Sequence, residues 1–165
     1  MKYVKWLFVV LFVCSFISFV DKDKVTGGWN VGDKAPIFML PAKDGNQALS
    51  LKDLRGEYVL LSFWAGYDAP SRMSNLRLCQ ALRDLDKRSV RMVSVSFDKY
   101  ASVFAETIRE DRIDPAVCFV DVKGEASGIF KKYRLKKGFR NYLLNDKGVI
   151  IAKDVTAENI SEYLP

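Results

Sequence analysis

The chain has 165 residues, of which 49% are hydrophobic and 28% charged, a composition typical of one globular domain with a short appendage. It contains no histidine, which excludes Ser-His-Asp and Cys-His catalysis and HExxH metal sites. With three cysteines, no Cys-x-x-Cys pair and a net charge of only +6, we expect no metal, no cofactor and no nucleic acid.

The N-terminal segment, residues 1–20, is apolar from residue 6 onwards and carries two lysines before that point. The positive-inside rule then predicts that its amino end stays in the cytoplasm and that the rest is exported. As a helix the apolar run would be about 22 Å long, short of the roughly 30 Å hydrocarbon core, so it is either a signal peptide or a membrane anchor. Cys14 within it is a small apolar residue or a lipidation site. We expect a linker over residues 21–30 and a domain on the periplasmic side of the inner membrane.

Residues 31–165 carry the alternating patterns of a layered α/β domain. A short hairpin comes first, with strands at 38–40 and 48–49 joined by the turn residues 43–46. The apolar run at 58–64 predicts a central strand that is covered on both faces. The elements expected after it are a helix from Asp68 with Leu78, Leu82 and Leu85 on one face, a strand at 90–97, a helix at 101–112, a strand at 116–120, a helix at 125–133, a hairpin at 141–144 and 149–152, and a helix at 157–164.

Four local strings follow one another along this domain: VGDKAPIF at 31–38, LKDLRG at 51–56, FWA at 63–65 and LLNDKG at 143–148. The ordered set resembles the TlpA/ResA branch of the thioredoxin-like proteins, also known as redoxins or AhpC/TSA-like proteins. The resemblance implies a thioredoxin fold, with a mixed central β-sheet flanked by helices, preceded here by an N-terminal β-hairpin extension. It also implies a family function in thiol-disulfide exchange on exported proteins.

The redox motif of that family is the point at which this chain departs from it. Where the family has W-C-x-P-C-R, the chain has Tyr67, Asp68, Ala69, Pro70, Ser71 and Arg72. Asp68 and Ser71 stand at both cysteine positions, and residues 62–78 hold no cysteine that could attack a peroxide. Phe139 stands at the position of the family's cis-proline. Aspartate is favoured at a helix N-cap and proline in the first turn of a helix. We therefore expect the helix to begin at this point as it does in the family, but without the dithiol redox chemistry. Asp68 could instead be a catalytic carboxylate, but the sequence shows no partner acid or base near it.

Two further cysteines, Cys79 and Cys118, fall on the first predicted helix and on the strand at 116–120. They are buried apolar side chains, or they form a structural disulfide, which an oxidising compartment would permit. A relocated redox pair is a third interpretation, although neither cysteine stands at a helix N-terminus that would lower its pKa.

A basic run occupies residues 131–140 and contains Lys131, Lys132, Arg134, Lys136, Lys137 and Arg140. In the simpler interpretation it is the solvated end of a short helix. In the other, Lys136, Lys137 and Arg140 form the rim of an aromatic groove around Trp64, Tyr67 and Phe139, and this groove binds a partner.

Two hypotheses about function follow from these residues. The first is a redox-inactive binding or assembly module with a protein partner in the cell envelope, held at the membrane by its N-terminal segment. The second is a thiol-disulfide oxidoreductase of cell-envelope redox homeostasis that uses Cys79 and Cys118, or cysteines of a partner.

Overall fold

A computed structural model describes residues 26–41, 48–84 and 90–164 of the chain. The predicted signal peptide or anchor with Cys14, most of the linker, the turn at 43–46 and Leu85 lie outside these residues. Among the described residues, no helix is both long and apolar enough to cross a membrane.

The core of the fold is a five-stranded mixed sheet. Its strands are β3 (Tyr58–Trp64), β4 (Val90–Ser96), β5 (Cys118–Val120), β6 (Asn141–Leu144) and β7 (Ile150–Lys153), in the order β5-β4-β3-β6-β7. Strand β3 pairs with β4 in parallel and with β6 antiparallel, so it lies at the centre of the sheet. A separate two-stranded hairpin, β1 (Met39–Leu40) and β2 (Leu49–Ser50), precedes the sheet. The predicted mixed sheet and N-terminal hairpin are both confirmed.

Strand β3 divides the hydrophobic interior into two layers because its side chains alternate between the faces of the sheet. Val59, Leu61 and Phe63 belong to one core cluster, together with residues of the hairpin and of helix α3 (Gly128–Lys132). Leu60 and Trp64 belong to the other cluster, together with residues of helices α1 (Ala69–Asp84) and α2 (Ala101–Glu110). The loop between β3 and α1 therefore starts from a strand that is fixed on both faces.

Three expected elements differ from the structure. The strand expected at 116–120 is shortened to β5, because the Asp114 carboxylate accepts a hydrogen bond from the Ala116 backbone N–H at 2.9 Å and forms a 3-10 turn at Pro115–Val117. The helix expected at 125–133 is interrupted at Ser127, whose hydroxyl caps α3 by accepting from Ile129 N at 3.0 Å. A 3-10 turn at Gly124–Ala126 precedes it.

The C-terminal helix expected at 157–164 is only a four-residue 3-10 helix, Ile160–Tyr163. The Asn159 side chain accepts a hydrogen bond from the Thr156 backbone N–H at 2.9 Å and so forms a local turn just before it. A segment this short also cannot offset the cost of nucleating an α-helix.

Candidate functional site

The loop from β3 to α1, called the motif loop below, carries the residues that the sequence analysis predicts at the position of the family's redox motif, and Asp68 closes it as the N-cap of α1. Its carboxylate accepts a hydrogen bond from the Ser71 backbone N–H at 3.0 Å. Its carbonyl oxygen accepts from the Ser71 hydroxyl at 3.1 Å and from the Arg72 backbone N–H at 3.0 Å. Pro70 lies in the first turn, where a missing N–H leaves no hydrogen bond unmade. Asp68 and Ser71 thus hold one another at the helix start.

The preceding turn is fixed by Asp98, a residue that the sequence analysis did not single out. Its carboxylate is 2% exposed, accepts from the Gly66 backbone N–H at 3.0 Å with each oxygen, and accepts from the Ser96 hydroxyl at 2.7 Å. A Cβ at Gly66 would lie 3.0 Å from the Thr107 hydroxyl and 3.3 Å from the Asp98 carboxylate, so a larger residue would have to displace these side chains by a few tenths of an ångström. One signal was available, because Asp98 lies two residues after the end of β4, and sites in parallel sheets gather at the carboxyl ends of strands.

Arg72, the arginine of the motif, is held by an ion pair between α1 and the end of α2. Its guanidinium donates to both carboxylate oxygens of Asp111, at 2.8 and 2.7 Å, and to Glu110 at 3.1 Å. The hydrogen bond to Asp111 raises the pKa of Arg72 above its usual range. The pairing joins the motif helix to α2, a contact between distant residues that the sequence pattern does not reveal.

Phe139 and Tyr67 are brought together, as predicted, on the surface beside the motif. Their ring centroids are 6.3 Å apart, and Phe139 also stacks on Phe97 with centroids at 6.0 Å and an interplanar angle of 16°. No described peptide bond is cis, including those around Phe139. Tyr67 is 67% exposed, and partial burial with the nearby carboxylates of Glu125, Asp98 and Asp68 raises the pKa of its phenol. The phenol therefore stays neutral near pH 7.

Trp64 does not line this surface, and the prediction that it contacts a partner is wrong. Its side chain is 0% exposed and packs in the core layer under α1 and α2. Its indole N–H donates to the Ser94 hydroxyl at 2.7 Å. Neighbouring residues of a strand point to opposite faces of a sheet, so Phe63 faces the Phe139 side while Trp64 faces away from it.

Two cavities adjoin the motif loop. The first, of about 340 Å³, lies between the start of α1 and the loop before β6, with Asp68, Ser71, Phe139 and Arg140 in its lining. The second, of about 430 Å³, lies on the other side of Tyr67, with Asp98, Tyr100 and Val103 in its lining. Exposed Tyr67 itself lines the second cavity.

Three cations of the basic run are engaged within the fold. Arg134 lies 3.7 Å above the Trp29 ring, Arg140 pairs with Asp154 at 2.9 Å, and Lys132 donates to the Ile37 carbonyl at 2.7 Å. Lys136 and Lys137 are exposed on a 3-10 turn, Leu135–Lys137, that leads directly to Phe139. The basic rim is thus centred on these two lysines, with Arg140 already paired.

Cys79 and Cys118 lie together in the core layer under α1 and α2, and no disulfide joins them. The alternative of a structural disulfide is therefore not what the structure contains. Burial, followed by the neighbouring Cys118 thiol, raises the pKa of Cys79 to about 12. Cys118 is 0% exposed. Neither sulfur reaches the motif loop or its cavities.

Comparisons with known proteins agree with this architecture. A family model described as the AhpC/TSA family matches residues 31–153. "Thioredoxin-like protein YneN" of Bacillus subtilis (strain 168) is 29% identical over 160 residues, which cover 88% of this chain and 86% of the relative. The crystal structure of a thioredoxin-like protein from Parabacteroides distasonis ATCC 8503 is 39% identical with a TM-score of 0.72, covering 84% of this chain and 97% of that one. A thiol-disulfide oxidoreductase from Bacteroides fragilis NCTC 9343 is 27% identical with a TM-score of 0.65, covering 79% of this chain and 96% of that one.

These likenesses extend over the sheet, its helices and the hairpin, and they confirm the thioredoxin fold. They are also consistent with the TlpA/ResA type that the four sequence strings resemble. The matched range contains the β3–α1 loop, the aromatic surface and both buried cysteines. The chain belongs to the AhpC/TSA family of redoxins with a thioredoxin fold.

Proposed function

We propose that this chain is a redox-inactive binding or assembly module of the cell envelope, built on the scaffold of a thiol-disulfide oxidoreductase. The observation that carries the proposal is the pairing of Asp68 and Ser71 at the start of α1, where the family's two cysteines would stand. Thiol-disulfide exchange needs a thiolate as the attacking group, and a carboxylate with a hydroxyl supplies none. Asp68 and Ser71 thus cap helix α1 but provide no group for thiol-disulfide exchange.

The buried cysteines offer little support for the competing hypothesis of a rewired oxidoreductase. A thiol whose pKa is about 12, as for Cys79, is almost entirely protonated near neutral pH. Cys118 belongs to the same apolar layer and has no exposed surface through which a disulfide of a substrate could approach. Exchange at Cys118 would require the core to open, and Cys79, which borders a cavity, would have to react as a thiol that is protonated near neutral pH.

A turnover assay separates the two hypotheses. We expect the chain to give no reduction of insulin disulfides by dithiothreitol above the uncatalysed rate, and Cys79 and Cys118 to stay unmodified by iodoacetamide until the protein is unfolded. Dithiothreitol alone and a working thioredoxin serve as the lower and upper controls. Turnover that disappears in the Cys79→Ser or Cys118→Ser variant would establish the oxidoreductase hypothesis instead.

The exposed surface beside the motif supports the binding role. Tyr67 and Tyr100 are 67% and 70% exposed, Val103 is exposed in the lining of the same cavity, and Met73 is exposed on α1. Aromatic residues and methionine are enriched where proteins bind proteins, and Lys136 and Lys137 add positive charge beside Phe139. A protein partner that presents apolar side chains next to acidic ones fits this surface. The apolar N-terminal segment and the thiol-disulfide oxidoreductases among the related structures support a place in the envelope.

Photo-crosslinking in cells tests the surface. With p-benzoylphenylalanine in place of Tyr67, we expect a protein adduct on irradiation; in place of Tyr163, which is 40% exposed elsewhere on the fold, we expect none. Adding Lys136→Glu and Lys137→Glu should weaken the Tyr67 adduct, because rim charges steer association. Adducts of equal yield from both positions, or insensitivity to the charge reversal, would contradict the assignment.

A further inference from the structure

Another cavity lies at the opposite end of the sheet from the motif loop. Strands β3 and β4 run in parallel, with Tyr58 beside Val90 at their amino ends and Trp64 beside Ser96 at the ends that lead to the loop. The cavity adjoins the amino end of β4, between the second half of α1 and the end of α2. Its volume is about 570 Å³, within the range of about 300–1,000 Å³ that is usual for small-molecule sites.

The wall of this cavity is apolar. It is formed by Cys79, Leu82, Val90, Met92, Ile108, Ile113 and Val117. Cys79, Met92, Ile108 and Ile113 are each less than a tenth exposed, so the wall is continuous with the core layer under α1 and α2. Burial keeps the Cys79 thiol protonated by raising its pKa to about 12. The wall therefore suits an aliphatic chain.

The mouth of the cavity, in contrast, is lined by cations: Arg83, Arg91, Arg109 and Arg112. Arg91 pairs with Glu57 at 3.1 Å, and Arg109 pairs with Glu106. The carboxylate that lines the cavity, Asp114, is used as the cap of the 3-10 turn after it. Among the described residues, Arg83 and Arg112 have no carboxylate partner, and the four arginines outnumber the single lining carboxylate, so the described part of the mouth carries an excess of positive charge.

The turn that ends α2 shows why Arg112 is unusual. The Ile113 N–H donates to the Ile108 carbonyl at 3.0 Å and the Arg112 N–H to the Arg109 carbonyl at 3.2 Å, which is the Schellman pattern. This pattern favours glycine at the position of Arg112, whose φ is 52°. The turn places two isoleucines in the cavity wall and a guanidinium at its mouth, where Arg83 donates to the Arg112 carbonyl at 3.3 Å.

We propose that this cavity binds a fatty-acid anion, with its single aliphatic chain along the apolar wall and its carboxylate between Arg83 and Arg112. Charge complementarity favours this ligand class, because a carboxylate would pair with two guanidiniums that have no carboxylate partner among the described residues, whereas a cationic head group would be repelled. The site is separate from the surface proposed for the protein partner, and neither assignment depends on the other.

Methionine-methyl NMR tests the site directly, with dodecanoate as the probe. The full chain is kept in digitonin, whose rigid sterol body does not mimic a single acyl chain. We expect dodecanoate to shift the Met92 methyl resonance and to leave those of Met39 and Met73, which are exposed elsewhere, in place. Dodecanol, with the same chain and no charge, should bind at least about tenfold more weakly.

Arg112→Gly is the informative variant, because it removes the guanidinium while relaxing the left-handed backbone. We expect its melting temperature to stay equal or rise and its Kd for dodecanoate to increase about tenfold. Arg77→Gln, which removes an exposed cation of α1 outside the cavity, should leave the Kd unchanged. The proposal is overturned if dodecanol binds as tightly as dodecanoate, if Met39 or Met73 responds in place of Met92, or if folded Arg112→Gly keeps the original Kd.

Discussion

The double variant Asp68→Cys/Ser71→Cys is expected to acquire dithiol oxidoreductase activity, whereas we expect none from the unmodified chain. The sulfur introduced at position 68 would occupy the N-cap of α1, where unpaired backbone N–H groups and the helix dipole stabilise a negative charge. Such positions lower a thiol pKa from about 8.5 to roughly 7, which makes the thiolate about tenfold more abundant at neutral pH. The thiolate absorbance at 240 nm, followed over a pH titration, gives the pKa, and insulin reduction gives the turnover.

A matched variant separates the chemistry from the helix cap. Asp68→Ala/Ser71→Ala also removes the Asp68 carboxylate but adds no sulfur, and it should lose about 1 kcal/mol of stability without gaining activity. A folded double-cysteine variant that stays inactive would contradict the prediction. It would assign the missing step to the loop around Phe139, which has no cis peptide bond.

The Ser94→Ala variant is expected to lose about 2–6 kcal/mol in its free energy of unfolding. The Ser94 hydroxyl accepts from the Trp64 indole N–H at 2.7 Å and donates to the Asn75 side-chain oxygen at 2.9 Å, and all three residues are 0% exposed. Without the hydroxyl, two buried polar groups are left unsatisfied, each at a cost of about 1–3 kcal/mol. Urea unfolding, followed by Trp fluorescence, should show a lower midpoint at an unchanged m-value.

The same chemical change at an exposed site is the control. Ser102 lies on the solvent side of α2, and Ser102→Ala should change stability by no more than about 0.5 kcal/mol. A Ser94→Ala variant as stable as Ser102→Ala would show that Trp64 and Asn75 find other partners. Among the described residues, the side-chain amide nitrogen of Asn75 already has no hydrogen-bond partner, so the variant would leave both polar atoms of this side chain unpaired.

The parts of the fold that the sequence predicted are those that local patterns determine. The apolar run at 58–64 became the central strand β3, and Asp68 caps the helix that follows it, as expected of an aspartate before a proline in the first turn. The C-terminal helix failed because a single side chain, Asn159, diverted a short segment into a turn. Hydrophobic periodicity does not show where a side chain–backbone hydrogen bond competes with the helix in this way.

The parts of the site that the sequence did not predict depend on contacts between distant residues. Asp98 meets Gly66 across 32 positions and Asp111 meets Arg72 across 39, so neither contact leaves a spacing that can be read along the chain. Trp64 was placed on the wrong side because alternation tells which residues share a face but not which face borders the groove. Tyr67 and Phe139 were paired correctly through the family resemblance, which supplied the topology.

The burial of Cys79 and Cys118 as thiols also bears on how this domain matures. Its tertiary packing contains no cross-link between them, so neither an oxidase nor a disulfide isomerase is needed for that part of the chain to reach its native state. Whether the domain is in the cytoplasm or in the envelope, the Cys79 thiol reacts poorly with glutathione disulfide, because burial raises its pKa to about 12. Folding of the described domain should therefore be independent of the redox state of its surroundings as far as Cys79 and Cys118 are concerned.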